Sequence, residues 1–85
     1  MRYTIETSEN LEKILDKVPK QDVIRIRDRI RALSNDPRPM NSEKIDDNLY
    51  RVRQGNYRIL YKIYDKKLVV VVVTVAHRRE VYRDL

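Results

Sequence analysis

The chain contains a single glycine, Gly55, and its position constrains the fold more than any other residue. Together with Asn56 it separates two runs, Leu49–Gln54 and Tyr57–Tyr64, that alternate in polarity with the period of a strand. Glycine at the first central position of a two-residue connection suits a type II′ hairpin turn. With Gln54 and Tyr57 flanking that turn, the register follows. Arg53 faces Arg58, Val52 faces Ile59, Arg51 faces Leu60 and Tyr50 faces Tyr61. Side chains alternate between the faces of a sheet. One face therefore carries Tyr50, Val52, Ile59, Tyr61 and Ile63, a surface for helices to cover. The other carries Arg51, Arg53, Arg58 and Lys62, with Leu49 and Leu60.

The remaining segments add strands and helices to this hairpin. Asp65-Lys66-Lys67 turns the chain into Leu68–Ala76, whose apolar run reads as a central strand covered on both faces. Arg2–Glu6 reads as a short strand, and Thr7 or Ser8 offers a cap for the helix that follows. Leu11, Ile14, Leu15 and Val18 form one apolar stripe. Pro19 breaks that helix and suits the first turn of the next, whose stripe is Val23, Ile26, Ile30 and Leu33. Arg25, Arg27, Arg29 and Arg31 lie on this second helix, but Asp22 and Asp28 are interleaved. The four read as a solvated face rather than a binding surface. Asn35–Asn48 is a loop longer than usual for a compact domain, one that hides a turn or carries function. Arg79–Leu85 forms a short C-terminal helix or a tail. The expected fold class is α+β, in the order β-α-α-β-β-β, with two N-terminal helices packed on one face of a small, mostly antiparallel sheet. Residues 1–85 are expected to form a single domain.

Charge is distributed unevenly. Residues 1–48 hold ten Lys/Arg and ten Asp/Glu, whereas residues 49–85 hold nine Lys/Arg and three Asp/Glu, so the whole net charge of +6 comes from the second segment. A neutral part joined to a basic part points to a polyanion-binding face. With no cysteine and one histidine, His77, no metal or other cofactor is expected. A glycine-rich phosphate loop is excluded by the single glycine. The N-terminus lacks the apolar core of a signal peptide, and the run Leu68–Val73 is too short to span a bilayer, so a cytoplasmic protein without membrane contact is expected.

The chemistry concentrates on the basic face of the hairpin. Like charges directly opposite each other destabilise a sheet, and within the hairpin no carboxylate offsets Arg53 against Arg58. A bound anion would resolve that conflict. A three-residue connection pairing Tyr64 with Leu68 would bring Thr74 opposite Arg58 and carry Arg78 to the same face. A two-residue connection would reverse this, and the sequence leaves both open. His77 is either an acid/base group, given an ordinary pKa near neutrality, or a strand-end residue without chemistry. Tyr82 stacks on a base, transfers a proton, or belongs to the core.

Two stretches, Leu49-Tyr50-Arg51-Val52-Arg53-Gln54-Gly55-Asn56-Tyr57-Arg58-Ile59-Leu60-Tyr61 and Ala76-His77-Arg78-Arg79-Glu80-Val81-Tyr82-Arg83, flank the valine-rich strand. In that order they resemble the RelE/ParE toxin superfamily, over residues 49–83. The resemblance implies the toxin of a type II toxin–antitoxin system, held silent by a cognate antitoxin protein. In the RelE-like branch it implies a metal-independent, ribosome-dependent mRNA endonuclease acting by 2′-OH attack on the adjacent phosphate. By motif position Arg51 and Arg53 stand where that branch has basic residues. Arg58 matches the arginine that stabilises the pentacoordinate phosphate, Arg78 the arginine near the leaving 5′-oxygen, and Tyr82 a tyrosine acting as base or stacking group. Arginine at 51 and 53 stays protonated, which leaves proton transfer to Tyr82 or His77. Two further readings stand beside this one: a ParE-like gyrase inhibitor on the same fold, and a non-catalytic RNA-binding module.

Overall fold

The structure, a computed structural model, describes residues 2–77. The expectations for Arg78, Tyr82 and the segment Arg79–Leu85 fall outside the described residues. Five strands form one sheet in the order β1-β5-β4-β3-β2. They are β1 (Thr4–Thr7), β2 (Glu43–Lys44), β3 (Leu49–Gln54), β4 (Tyr57–Tyr64) and β5 (Val69–His77). Two helices, α1 (Leu11–Asp16) and α2 (Lys20–Ala32), precede β2. β1 runs parallel to β5 and the other three pairings are antiparallel. The α+β class and the mostly antiparallel sheet agree with the sequence. The fifth strand, β2, emerges from the long loop.

Gly55 adopts φ +60°, the left-handed region that the first central position of a II′ turn requires, while Asn56 keeps a negative φ. The hairpin register is the expected one at every pair, from Gln54↔Tyr57 to Tyr50↔Tyr61. The step into β5 departs from both alternatives weighed above. The connection has four residues, a 3-10 turn over Asp65–Lys67 followed by Leu68 at φ +54°, so Tyr64 pairs with Val69. Further along, the register shifts by one between Leu60 and Tyr61, because Tyr61 pairs with Val72 and Leu60 with Thr74. Val73 is the extra residue of a β-bulge. Thr74 therefore faces Leu60, and Ala76 faces Arg58.

The bulge shows in the burial of β5. Val70 and Val72 are buried before it and Val75 after it, each on the face that also buries Val52, Ile59, Tyr61 and Ile63. Leu11 and Leu15 of α1, Ile26 and Ile30 of α2, and Leu33 complete this core. Each fully buried apolar side chain contributes roughly 1.5–3 kcal/mol relative to exposure, which favours this face over any register slip.

Two expected helix signals resolve differently. Asn10, not Thr7 or Ser8, holds the cap position of α1, and no side chain caps it. The Ser8 hydroxyl instead donates to the carbonyl of Val73 (2.9 Å), the bulged residue. Pro19 stands at the N-cap of α2 with extended backbone (φ −54°, ψ 141°) rather than inside its first turn.

The long loop is pinned to the open end of the hairpin. Arg38 donates two hydrogen bonds to Asp65 (2.7 and 3.1 Å) and one from Nε to the Tyr50 hydroxyl (3.1 Å). Its guanidinium also lies over the Tyr50 ring, 5.2 Å from the centroid. The Tyr3 hydroxyl donates to the same Asp65 (2.7 Å). Tyr61, fully buried, donates from its hydroxyl to the Pro37 carbonyl (2.7 Å). Burial pushes its phenol up to about 12, so it remains a donor. These contacts fix the loop's start, and the following residues lay Glu43 and Lys44 against Arg51 and Tyr50. Among the described residues no helix is long and apolar enough to cross a membrane.

Candidate anion site on the arginine face

β3 and β4 place Arg51, Arg53 and Arg58 on one face because each is an odd step from its inward-facing neighbours Val52 and Ile59. All three line one open cavity of about 550 Å³ at the turn end of the hairpin, together with Gln54 and Gly55. Arg58 is the innermost, at 6% exposure, whereas Arg53 is exposed and Arg51 half-buried. Three more residues complete the described lining: Asn41, Glu43 and Arg29.

Glu43 supplies the carboxylate that the hairpin itself lacks. It is the direct cross-strand partner of Arg51 and forms an ion pair with it. The Arg51 hydrogen bond, aided by the nearby charges of Arg51, Arg53 and Arg58, holds the Glu43 carboxyl below the usual carboxylate range. Glu43 thus remains ionised and is a weaker base than an ordinary glutamate. The like-charge pair Arg53↔Arg58 is real, but its partial counter-charge arrives from a neighbouring strand. Sequence reasoning missed Glu43 because β2 is two residues long and shows no alternation of its own.

Arg29 was the second omission. Three of the four arginines on α2 conform to a solvated face. Arg25 is exposed, Arg27 pairs with Glu12 (2.7 Å) and Arg31 with Asp28 (3.1 Å). Arg29 instead is half-buried and lines the arginine cavity. The helical stripe holds a hint, because Arg29 lies between Ile26 and Ile30 at the border of the apolar face.

The structure does not gather His77 with these arginines. The one-residue shift at the bulge pairs His77 with Tyr57, the neighbour that alternates away from Arg58. The two rings meet edge-on at 5.3 Å. His77 lines a separate groove of about 670 Å³ between β5 and α1, beside Lys13 and Lys17. Among the described residues no group of three His, Cys, Asp or Glu side chains is arranged to hold a metal ion. The cavity itself offers guanidinium groups, which bind phosphate and carboxylate oxygens in bidentate fashion.

Two helices on a five-stranded sheet, with a cationic cleft on the face opposite the helices, place the molecule among small α+β proteins that present a basic surface. More specifically, the chain belongs to the RelE/ParE superfamily of type II toxins: the family described as ParE toxin of the type II toxin–antitoxin system parDE matches residues 1–82. Toxin RelG of Mycobacterium tuberculosis is 30% identical over 88 residues, covering 98% of this chain and 99% of the relative. Among solved structures, the archaeal RelE–RelB complex from Pyrococcus horikoshii OT3 superposes with a TM-score of 0.84 at 26% identity, covering 92% of this chain and 97% of that one. The toxin–antitoxin complex RelBE2 of Mycobacterium tuberculosis gives a TM-score of 0.80, also at 26% identity, covering 92% and 100%. The expected superfamily and the role of a type II toxin are thereby established.

Proposed function

We propose that this toxin is a metal-independent, ribosome-dependent mRNA endonuclease. The observation that carries the reading is the convergence of Arg51, Arg53 and Arg58 on one cavity of the sheet. In the reaction the ribose 2′-oxygen attacks the adjacent phosphorus and the bond from phosphorus to the 5′-oxygen breaks. A 2′,3′-cyclic phosphate and a 5′-hydroxyl result. The 2′-OH proton leaves to a base, and the departing 5′-oxygen takes up a proton. Negative charge grows on the phosphorane oxygens, and fixed guanidiniums at that point stabilise the transition state more than the ground state.

Arg58, nearly enclosed and on the central strand of the sheet, is assigned to those oxygens. Arg51 and Arg53 are assigned to the flanking backbone. Arg78, near the leaving oxygen, and Tyr82, as base, are assigned by the resemblance in the motif Ala76–Arg83. His77 is a poor candidate for the base, because its ring belongs to the face that Tyr57 shares. The relative named RelG supports the RelE-like reading. The RelE–RelB and RelBE2 complexes support a cognate antitoxin as the partner that silences this chain. The proposed reaction takes place on ribosomes and mRNA, hence in the cytoplasm.

A second reading, inhibition of DNA gyrase, is favoured by the description of the matching family, which names the parDE system. Primer extension on mRNA from translating ribosomes separates the two. Discrete cuts within codons after toxin addition are expected. Intact mRNA accompanied by gyrase-dependent DNA breaks would replace the first reading with the second.

A further inference from the structure

We infer that Arg29 of α2 is a fourth cation of the cleft and grips a second phosphate of a single-stranded RNA, next to the one held by Arg58. The inference rests on the ribonuclease reading and extends it to a residue outside the motif that suggested it. Three observations converge on Arg29. It lines the same cavity as Arg51, Arg53 and Arg58. Its neighbours Arg27 and Arg31 are each neutralised by a carboxylate, and Arg29 makes no such ion pair among the described residues. Its Nε is fully buried and has no hydrogen-bond partner among the described residues.

The last observation is the most demanding. A buried donor without an acceptor costs on the order of 1–3 kcal/mol, more when charged. Natural structures rarely tolerate such a group unless a ligand or water supplies the acceptor. A phosphate does so once the guanidinium turns its Nε edge toward the cavity, because its oxygens then accept from Nε and a terminal nitrogen together. The charge balance points the same way, since among the described residues four guanidiniums line the cavity with one carboxylate, Glu43. A single scissile phosphate has too few free oxygens to engage four guanidiniums. A strand offers successive phosphates, and the helix-borne arginine approaches from a different element than the hairpin arginines. Arg29 is therefore a positioning residue, which sets where along the cleft the strand lies.

The test uses the full chain and a fluorescent RNA of about ten nucleotides, with 2′-O-methyl riboses so that it cannot be cut. Anisotropy titrations span about 50 to 200 mM salt, because each phosphate contact on a single strand adds about 0.7 to the salt slope. Arg29→Gln is expected to weaken binding about tenfold at the low-salt end and to reduce the slope by about 0.7. Arg29→Lys should restore the slope, and Arg25→Gln, on the exposed side of the same helix, should change neither quantity. If Arg29→Gln keeps wild-type affinity and slope while the wild type cleaves mRNA on ribosomes, the inference is overturned and the ribonuclease reading stands. A weaker affinity with an unchanged slope also overturns it, since Arg29 would then act through packing. If the wild type neither binds this RNA nor cleaves, the reading fails and the inference with it.

Discussion

Arg38 and Arg58 occupy opposite ends of one hairpin and serve opposite ends of arginine chemistry. Around Arg38 the fold supplies acceptors in full: both oxygens of Asp65, the Tyr50 hydroxyl and the face of the Tyr50 ring. Those hydrogen bonds raise the pKa of Arg38 and hold the Asp65 carboxyl down at about 2. Around Arg58 the fold supplies more donors, with Arg51, Arg53 and Arg29 lining the same cavity. The same side chain is a fastener where it grips Asp65 and, in the proposed function, a receptor where it lines the cavity with other guanidiniums. Composition does not separate the two cases. The residues that neighbouring elements bring beside each arginine do.

The sharpest way to break this comparison is at the receptor end. Arg58→Lys keeps the charge and gives up the planar bidentate fork. Single-turnover cleavage on ribosomes should fall by about 10²- to 10³-fold, the scale for losing a preorganised transition-state donor. A lysine enzyme of undiminished rate would show that a point charge suffices.

Next in size is the proposed base. Tyr82→Phe should slow the same step by about 10²-fold, and His77→Gln by less than roughly tenfold. A reversed order would move proton transfer to His77 and require its ring to leave Tyr57.

A smaller effect lies on Glu43, which competes with any incoming anion for Arg51. Glu43→Gln should tighten RNA binding about threefold at low salt, with the gain fading as screening rises. Unchanged or weaker binding would mean that the ion pair orients Arg51 rather than occupying it.

The smallest effect belongs to the fastener. Asp65 has an ordinary pKa of 3.8 and a folded value of about 2, lowered first by Arg38 and then by Tyr3. A depressed carboxylate stabilises the fold above its unfolded pKa, and this contribution is lost as pH falls through the folded one. Urea midpoints should therefore drop more steeply for the wild type than for Asp65→Asn between about pH 4 and pH 2, with cleavage near neutrality the same in both. The groups are exposed, so the difference is modest. Parallel curves would show that the Arg38 contacts do not bear on stability.

The hairpin was legible because one glycine fixes one turn and a turn fixes the whole register. Tyr50, Val52, Ile59, Tyr61 and Ile63 then had to share a face. β5 was legible as a strand but not in its alignment, since a run of valines carries no period. There the four-residue connection and the bulge at Val73 each shift the pairing by one. Two such shifts restore the parity of the simpler three-residue reading. Beyond the bulge, Thr74 and Ala76 thus share the face of Arg58, although neither pairs where that reading placed it. His77 is on the other face for the same reason. Arg29 and Glu43 depended on how α2 and the loop settle on the sheet, a tertiary property that no local pattern encodes.

The position of β5 also bears on how the molecule comes into being. It is the last strand of the described chain, yet it lies between β1 and β4. Thr4 must meet Val69, and Ser8 must reach Val73 across 65 residues. Contacts this distant in sequence carry a large loop-closure cost before any pairing repays it, and they slow folding. During synthesis the first strand has no place in the sheet until β5 has left the ribosome. A chain that folds in this order can form its arginine-bearing hairpin early, but closes the sheet around it only once β5 is available.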